Sequence, residues 1–110
     1  MTGFSLREEG GVTIVDLEGR LDIAGVEEVR PRLLAAARES GPRMVVRMSE
    51  VTFLDSTGLG ALVALQKALA HQGKLLLLVA LQPQARMVLR ITHLEWILTC
   101  FDSFEEALAA

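Results

Sequence analysis

The stretch Arg43-Met-Val-Val-Arg-Met-Ser-Glu-Val-Thr-Phe-Leu-Asp-Ser-Thr-Gly58 changes character part-way along. Arg43 to Met48 holds a continuous apolar pair at its centre and reads as a buried, partly parallel strand. Ser49 to Leu54 then leads into Asp55, whose carboxylate can accept from the free N–H groups that open a helix. That helix is expected to run to about Ala70 and to end at His71-Gln-Gly73. A strand feeding a capped helix is the repeating unit of an α/β protein.

Working towards the N-terminus, Phe4 to Glu8 and Val12 to Glu18 alternate in polarity and are rich in strand formers. Gly10-Gly11 between them predicts a hairpin turn. Gly19-Arg-Leu-Asp22 ends the second strand, and Val26, Val29, Leu33 and Ala36 or Ala37 then recur at helical spacing. Pro31 falls inside that helix, where it removes a backbone hydrogen bond and collides with the preceding turn, so a late start or a kink is expected. Ser40-Gly-Pro42 stops it.

Towards the C-terminus, Leu75 to Val79 predicts a fully apolar strand and Gln82-Pro83 a helix through roughly Arg90. Trp96-Ile-Leu-Thr99 reads as a last short strand. Ser103-Phe-Glu-Glu106 is a capping box that starts a terminal helix through Ala109. Trp96 and Met87, set among apolar neighbours, are expected in the core, and Arg86 and Arg90 on a solvated edge. The pattern predicts one α/β domain over residues 1–110, with a mixed, mainly parallel sheet of four to five strands and about four helices packed against it.

Composition narrows the function. The chain has 110 residues, 51% hydrophobic and 23% charged, with a net charge of -3, a globular balance. Without a basic excess or an aromatic platform beside Lys/Arg, no direct nucleic-acid partner is expected. A single cysteine, Cys100, forms no internal disulfide, and no metal-binding spacing accompanies it, so a reduced, cytoplasmic setting and no metal or cofactor are expected. The first residues lack the apolar core of a signal peptide and Leu75 to Leu81 is too short for a bilayer, so no membrane insertion is expected.

Catalysis finds little support. His71 and His93 bear no recognisable relation to a nucleophile, and a serine-hydrolase elbow needs Gly where Leu54 stands. Gly58-Leu-Gly60 lacks the third glycine or the Lys-Ser/Thr of a phosphate-binding loop. Asp55-Ser56-Thr57-Gly58 is, on its face, an ordinary helix start. If Asp55 is the cap, however, Ser56 becomes the first helical residue, with its hydroxyl on an exposed strand-to-helix turn beside the positive helix end. A phosphate there, about -1.5 to -2 charges, would spare the helix and sharply alter the surface.

These residues resemble the STAS domain family, and within it the bacterial anti-sigma factor antagonists. Gly19-Arg-Leu-Asp22 is similar to the family's motif after the second strand, Phe53-Leu-Asp-Ser-Thr-Gly-Leu-Gly60 to its phosphorylation motif, and Phe101-Asp-Ser-Phe-Glu-Glu-Ala-Leu108 to its usual ending. The resemblance implies a non-enzymatic switch. Unphosphorylated, it binds an anti-sigma factor that is itself a serine kinase and so frees the sigma factor. Phosphorylation at Ser56, not at Thr57, turns it off, and a metal-dependent serine phosphatase resets it. The implied partner surface takes in Asp22, Asp55, Ser56, Thr57, Gly58, Leu59 and Gly60. The same family also implies an alternative, an accessory subunit of a bacterial ABC phospholipid transporter, in which the domain binds an ATPase.

Overall fold

Glu9 pairs with Val12 across a two-residue turn in which Gly10 and Gly11 have φ of 57° and 80°. Both values lie in the left-handed region that a tight hairpin demands and that glycine enters without a Cβ penalty. The turn joins β1 (Gly3–Glu9) to β2 (Val12–Leu21) in antiparallel register. The computed structural model describes residues 2–110; Met1, the first residue of the stretch read for a signal peptide, lies outside them.

From β2 the chain makes parallel crossovers. Helix α1 (Ile23–Glu39) leads to β3 (Arg43–Leu54), α2 (Ser56–His71) to β4 (Leu75–Val79), and α3 (Pro83–Ile91) with a 3-10 turn (Leu94–Trp96) to β5 (Thr99–Phe101). The order across the sheet is β1-β2-β3-β4-β5, with every pair after the first parallel. Helix α4 (Phe104–Ala109) closes the chain, capped by Ser103 Oγ, which accepts from the Glu106 N–H at 3.1 Å. The expected α/β architecture is present.

Side chains one apart along a strand point to opposite faces, and the core divides accordingly. Val15, Leu17, Met44, Val46, Met48, Leu76 and Leu78 face α1, α2 and α3. Val12, Ile14, Val45, Leu77 and Val79 face the other way and meet Ala107, Phe104 and Leu108 of α4. Farther along that second face Asp16 accepts from Arg7 at 2.5 Å and from Arg47 at 3.3 Å. On α2, Leu59, Leu62, Leu65 and Leu69 are buried.

Four expectations need correction. Strand β3 does not end at Met48 but continues to Leu54. Helix α1 begins at Ile23 and runs unbroken through Pro31. Pro31 and Glu27, whose carbonyl loses its helical donor, are both exposed, so the freed carbonyl lies where solvent can hydrate it. The last strand is Thr99–Phe101, while Leu94 to Trp96 form a 3-10 turn entered through His93 at φ 61°. Trp96 and Met87 are surface residues, 84% and 52% exposed.

Candidate functional site

Leu21, the last residue of β2, is register partner to Leu54, the last residue of β3. The next residue on each strand is therefore an aspartate beside an aspartate, Asp22 and Asp55, and each adopts extended backbone and caps the following helix. Asp22 Oδ1 accepts from the Gly25 N–H at 3.0 Å. Asp55 Oδ1 accepts from the N–H groups of Thr57 at 2.9 Å and Gly58 at 3.1 Å. Two of the otherwise orphaned donors of α2 are satisfied in this way.

The same local solution appears twice: Asp22-Ile-Ala-Gly25 and Asp55-Ser-Thr-Gly58. In both, the glycine sits where the first helical turn crosses β2. A Cβ on Gly25 would run into the Arg20 carbonyl. One on Gly58 would run into the Leu21 carbonyl and lie 2.7 Å from Leu54 Cδ1. Glycine is needed in both places for close approach, and its absence would push the helix start away from the strand ends.

Arg20 ties the two strand ends together from outside. Its guanidinium lies 4.2 Å from the Phe53 ring centroid, its register partner being Phe53, and its Nε donates to Asp22 Oδ2 at 3.2 Å. The Gly25 N–H and then the Arg20 guanidinium hold the Asp22 carboxyl below the usual carboxylate range. Asp22 is thus an anion at neutral pH, standing next to the turn that carries Ser56.

Ser56 is the first residue of α2 and is exposed, while Thr57 is half-buried. Gly60 is exposed, with open space where a side chain would stand. Gly58 and Leu59 lie beneath, and Leu59, 4% exposed, turns its side chain into the core. The structure therefore brings Asp22, Asp55, Ser56, Thr57 and Gly60 to one surface at the C-terminal edge of the sheet. Gly58 and Leu59 support that surface from inside.

One contributor to this edge is marked by no motif. Strand β4 covers β3 only from Arg43 to Arg47. Beyond that the outer edge of β3 is met by side chains from the start of α3. Gln84 Oε1 accepts from the Leu54 N–H and Gln84 Nε2 donates to the Leu54 carbonyl, both at 2.8 Å, and Gln82 Nε2 donates to the Ser49 carbonyl at 2.8 Å. A glutamine after a Pro-initiated helix start, opposite a strand longer than its neighbour, is the pattern that could have suggested it.

Chemically the arrangement offers an accessible hydroxyl and fixed anions. His71 is at the other end of α2, about 22 Å away at 1.5 Å per residue. Burial pushes the Cys100 thiol up, which keeps it protonated at neutral pH. Among the described residues no group of three or more His, Cys, Asp or Glu is arranged to hold a metal ion, and no helix is long and apolar enough to cross a membrane. A groove of about 660 Å³ between β1 and the second half of α1, lined by Leu6, Arg32, Ala35 and Ser40, is separate from the Ser56 turn.

Comparison with known proteins returns the same architecture. The family model for the STAS domain matches residues 4–107. Among solved structures, the chain is similar to an anti-sigma factor antagonist from Mycobacterium paratuberculosis, at 25% identity over 99% of this chain and 92% of that one, with a TM-score of 0.91. It is similar to a putative anti-sigma factor antagonist from Thermotoga maritima at 22% identity, covering 96% of this chain and 92% of that one, TM-score 0.89. It is also similar to the Bacillus cell fate determinant SpoIIAA in its phosphorylated form, at 22% identity over 97% of both chains, TM-score 0.72.

Proposed function

The chain belongs to the STAS domain family, and on that premise we propose that it is a cytoplasmic anti-sigma factor antagonist, a single STAS domain switched at Ser56. Unphosphorylated, it binds an anti-sigma factor with serine kinase activity and so releases the sigma factor. Phosphorylation of Ser56 by that kinase ends the interaction, and a metal-dependent serine phosphatase restores it. No catalytic step belongs to this chain.

The observation that carries the proposal is the position of the Ser56 hydroxyl: exposed, first in α2, on a turn capped by Asp55 and flanked by Asp22. A phosphate there gains from the positive end of α2, so the helix persists. It also adds to two neighbouring carboxylates. A partner docked over the turn would have to bury a hydrated, uncompensated anion, which costs several kcal/mol as an order of magnitude. At about 1.4 kcal/mol per decade of affinity, that is enough to release it.

The test is capture of partners on the immobilised full chain from its own cell extract, followed by mass spectrometry. An ATP-binding serine kinase retained by the wild type and lost from Ser56→Glu supports the proposal. Retention of an ABC-type ATPase instead, insensitive to Ser56→Glu, would replace the switch with the transporter role.

A further inference from the structure

Leu54 is the residue on which the Ser56 turn hinges, since it ends β3 and its carbonyl carbon leads directly into the Asp55 cap. On one side it is register partner to Leu21. On the other, where β4 has already left the sheet, the Gln84 carboxamide takes both of its backbone polar groups at 2.8 Å. Leu54 is fully buried, so a lost partner there is not replaced by bulk water. One carboxamide stands in for a missing strand, occupying both the N–H and the C=O of Leu54 much as an antiparallel partner residue would.

We propose that Gln84 is a positioning residue for the modification site: by pinning the Leu54 backbone N–H and C=O to α3 it holds the Asp55–Ser56 turn in the form that a docked kinase recognises. The inference rests on the proposed switching at Ser56. Gln84 does not touch Ser56, and its effect passes through Leu54. Three features set it apart from general packing. Both its oxygen and its NH2 group are spent on the backbone of one residue, Leu54. That residue is the last of β3 and borders the Asp55 cap. Gln82, two residues earlier, makes a similar bond to Ser49, so the first turn of α3 serves the uncovered edge of β3 as a unit.

If the turn is preorganised by this clamp, loosening it lowers the fraction of molecules competent to dock. The apparent affinity then falls by that fraction, while the docked complex, once formed, reacts as before. The predicted signature is a rise in KM for the chain as kinase substrate with kcat little changed. A purely structural role would lower thermal stability without that split.

The experiment uses the full chain as wild type, Gln84→Leu, Gln84→Glu and Val45→Ala. The last is a stability control in the core beneath α4, remote from the turn. Phosphate transfer from ATP is followed with the serine kinase that modifies the wild type, well below each variant's melting temperature, alongside amide hydrogen exchange by NMR. In Gln84→Leu the Leu54 amide should exchange at least about tenfold faster and KM should rise about tenfold, with kcat within about twofold. Gln84→Glu, which keeps an acceptor for the Leu54 N–H, should fall between. Val45→Ala should match wild-type KM. Faster exchange at Leu54 with an unchanged KM overturns the positioning role alone, as does an equal KM rise in Val45→Ala. Unaltered Leu54 exchange in Gln84→Leu overturns the clamp itself. A wild type that takes no phosphate at Ser56 removes the switch, and this inference with it.

Discussion

Asp22 and Asp55 stand side by side, one residue beyond the paired ends of β2 and β3, and each caps a helix. Neighbouring strands lie about 4.8 Å apart, so two positive helix ends and two carboxylates share one small edge of the sheet. The edge is balanced as it stands. Each carboxylate is committed to helix N–H groups, and a phosphate at Ser56 would set a further negative charge beside both.

The cap on α2 has a measurable worth. Asp55→Ala removes the acceptor for the Thr57 and Gly58 N–H groups, and should lower unfolding free energy by about 1 kcal/mol, with Asp55→Asn close to wild type. Urea denaturation of the three proteins checks this. Equal midpoints for all three would mean that Asp55 does not cap the helix in solution.

Asp22 should show itself in pH dependence. Its folded carboxyl is held below the ordinary value of 3.8 by the Gly25 N–H and the Arg20 guanidinium. A depressed folded value means that the stabilisation is present above the ordinary value and is lost as pH falls through the folded one. The loss therefore belongs to the acid range below 3.8. Asp22→Asn should flatten that part of the stability profile, and the Asp22 carboxyl carbon should titrate below the ordinary value by NMR. A midpoint at or above it would contradict the cap and ion pair.

Two nearby glycines should respond in opposite directions. Gly58→Ala drives a Cβ into the Leu21 carbonyl, and overpacking of this kind costs about 1–3 kcal/mol. Gly60 is in the same helix with nothing within 4 Å of an added Cβ, so Gly60→Ala should stabilise by about 0.5–1 kcal/mol through helix propensity. Thermal unfolding of the pair is the check, and the same sign for both would contradict the close approach of α2 to β2.

The sole tryptophan reports on its own surroundings. Trp96, 84% exposed, should emit as a solvated indole and be quenched freely by iodide, and Trp96→Ala should change stability by less than about 0.5 kcal/mol. Blue-shifted, protected emission from the isolated chain would place it in the core after all.

Much of this was legible in the residues, for reasons that also explain what was not. Leu75 to Val79 is bounded by Gly73 and by Gln82-Pro83, so its ends are chemically marked, and the structure gives it the same limits. The Asp55 and Ser103 caps were readable because an oxygen-bearing side chain before an apolar repeat has few other uses. The second half of β3 was obscured by register. Between Asp16/Glu18 and again between Gly19/Arg20 the pairing shifts, with extra residues on β3, so the two-residue alternation that marks a strand breaks at Ser49 and Glu50. Pro31 was misjudged because its cost depends on whether Glu27 can reach water, a fact of packing. Trp96 was misplaced because residue type gives only an average tendency to burial. Gln84 meets Leu54 through a contact thirty residues distant in sequence, marked in the residues only by its place just after a Pro-initiated helix start.

The switch at Ser56 is tested most directly by measuring the affinity of the captured kinase partner for the unmodified chain and for the same chain carrying one phosphate at Ser56. The phosphorylated chain should bind at least about a hundredfold more weakly, the consequence of burying an uncompensated charge, while its circular dichroism stays that of the unmodified protein. Equal affinity of the two forms, or a phosphate that persists in Ser56→Ala, would contradict the switch.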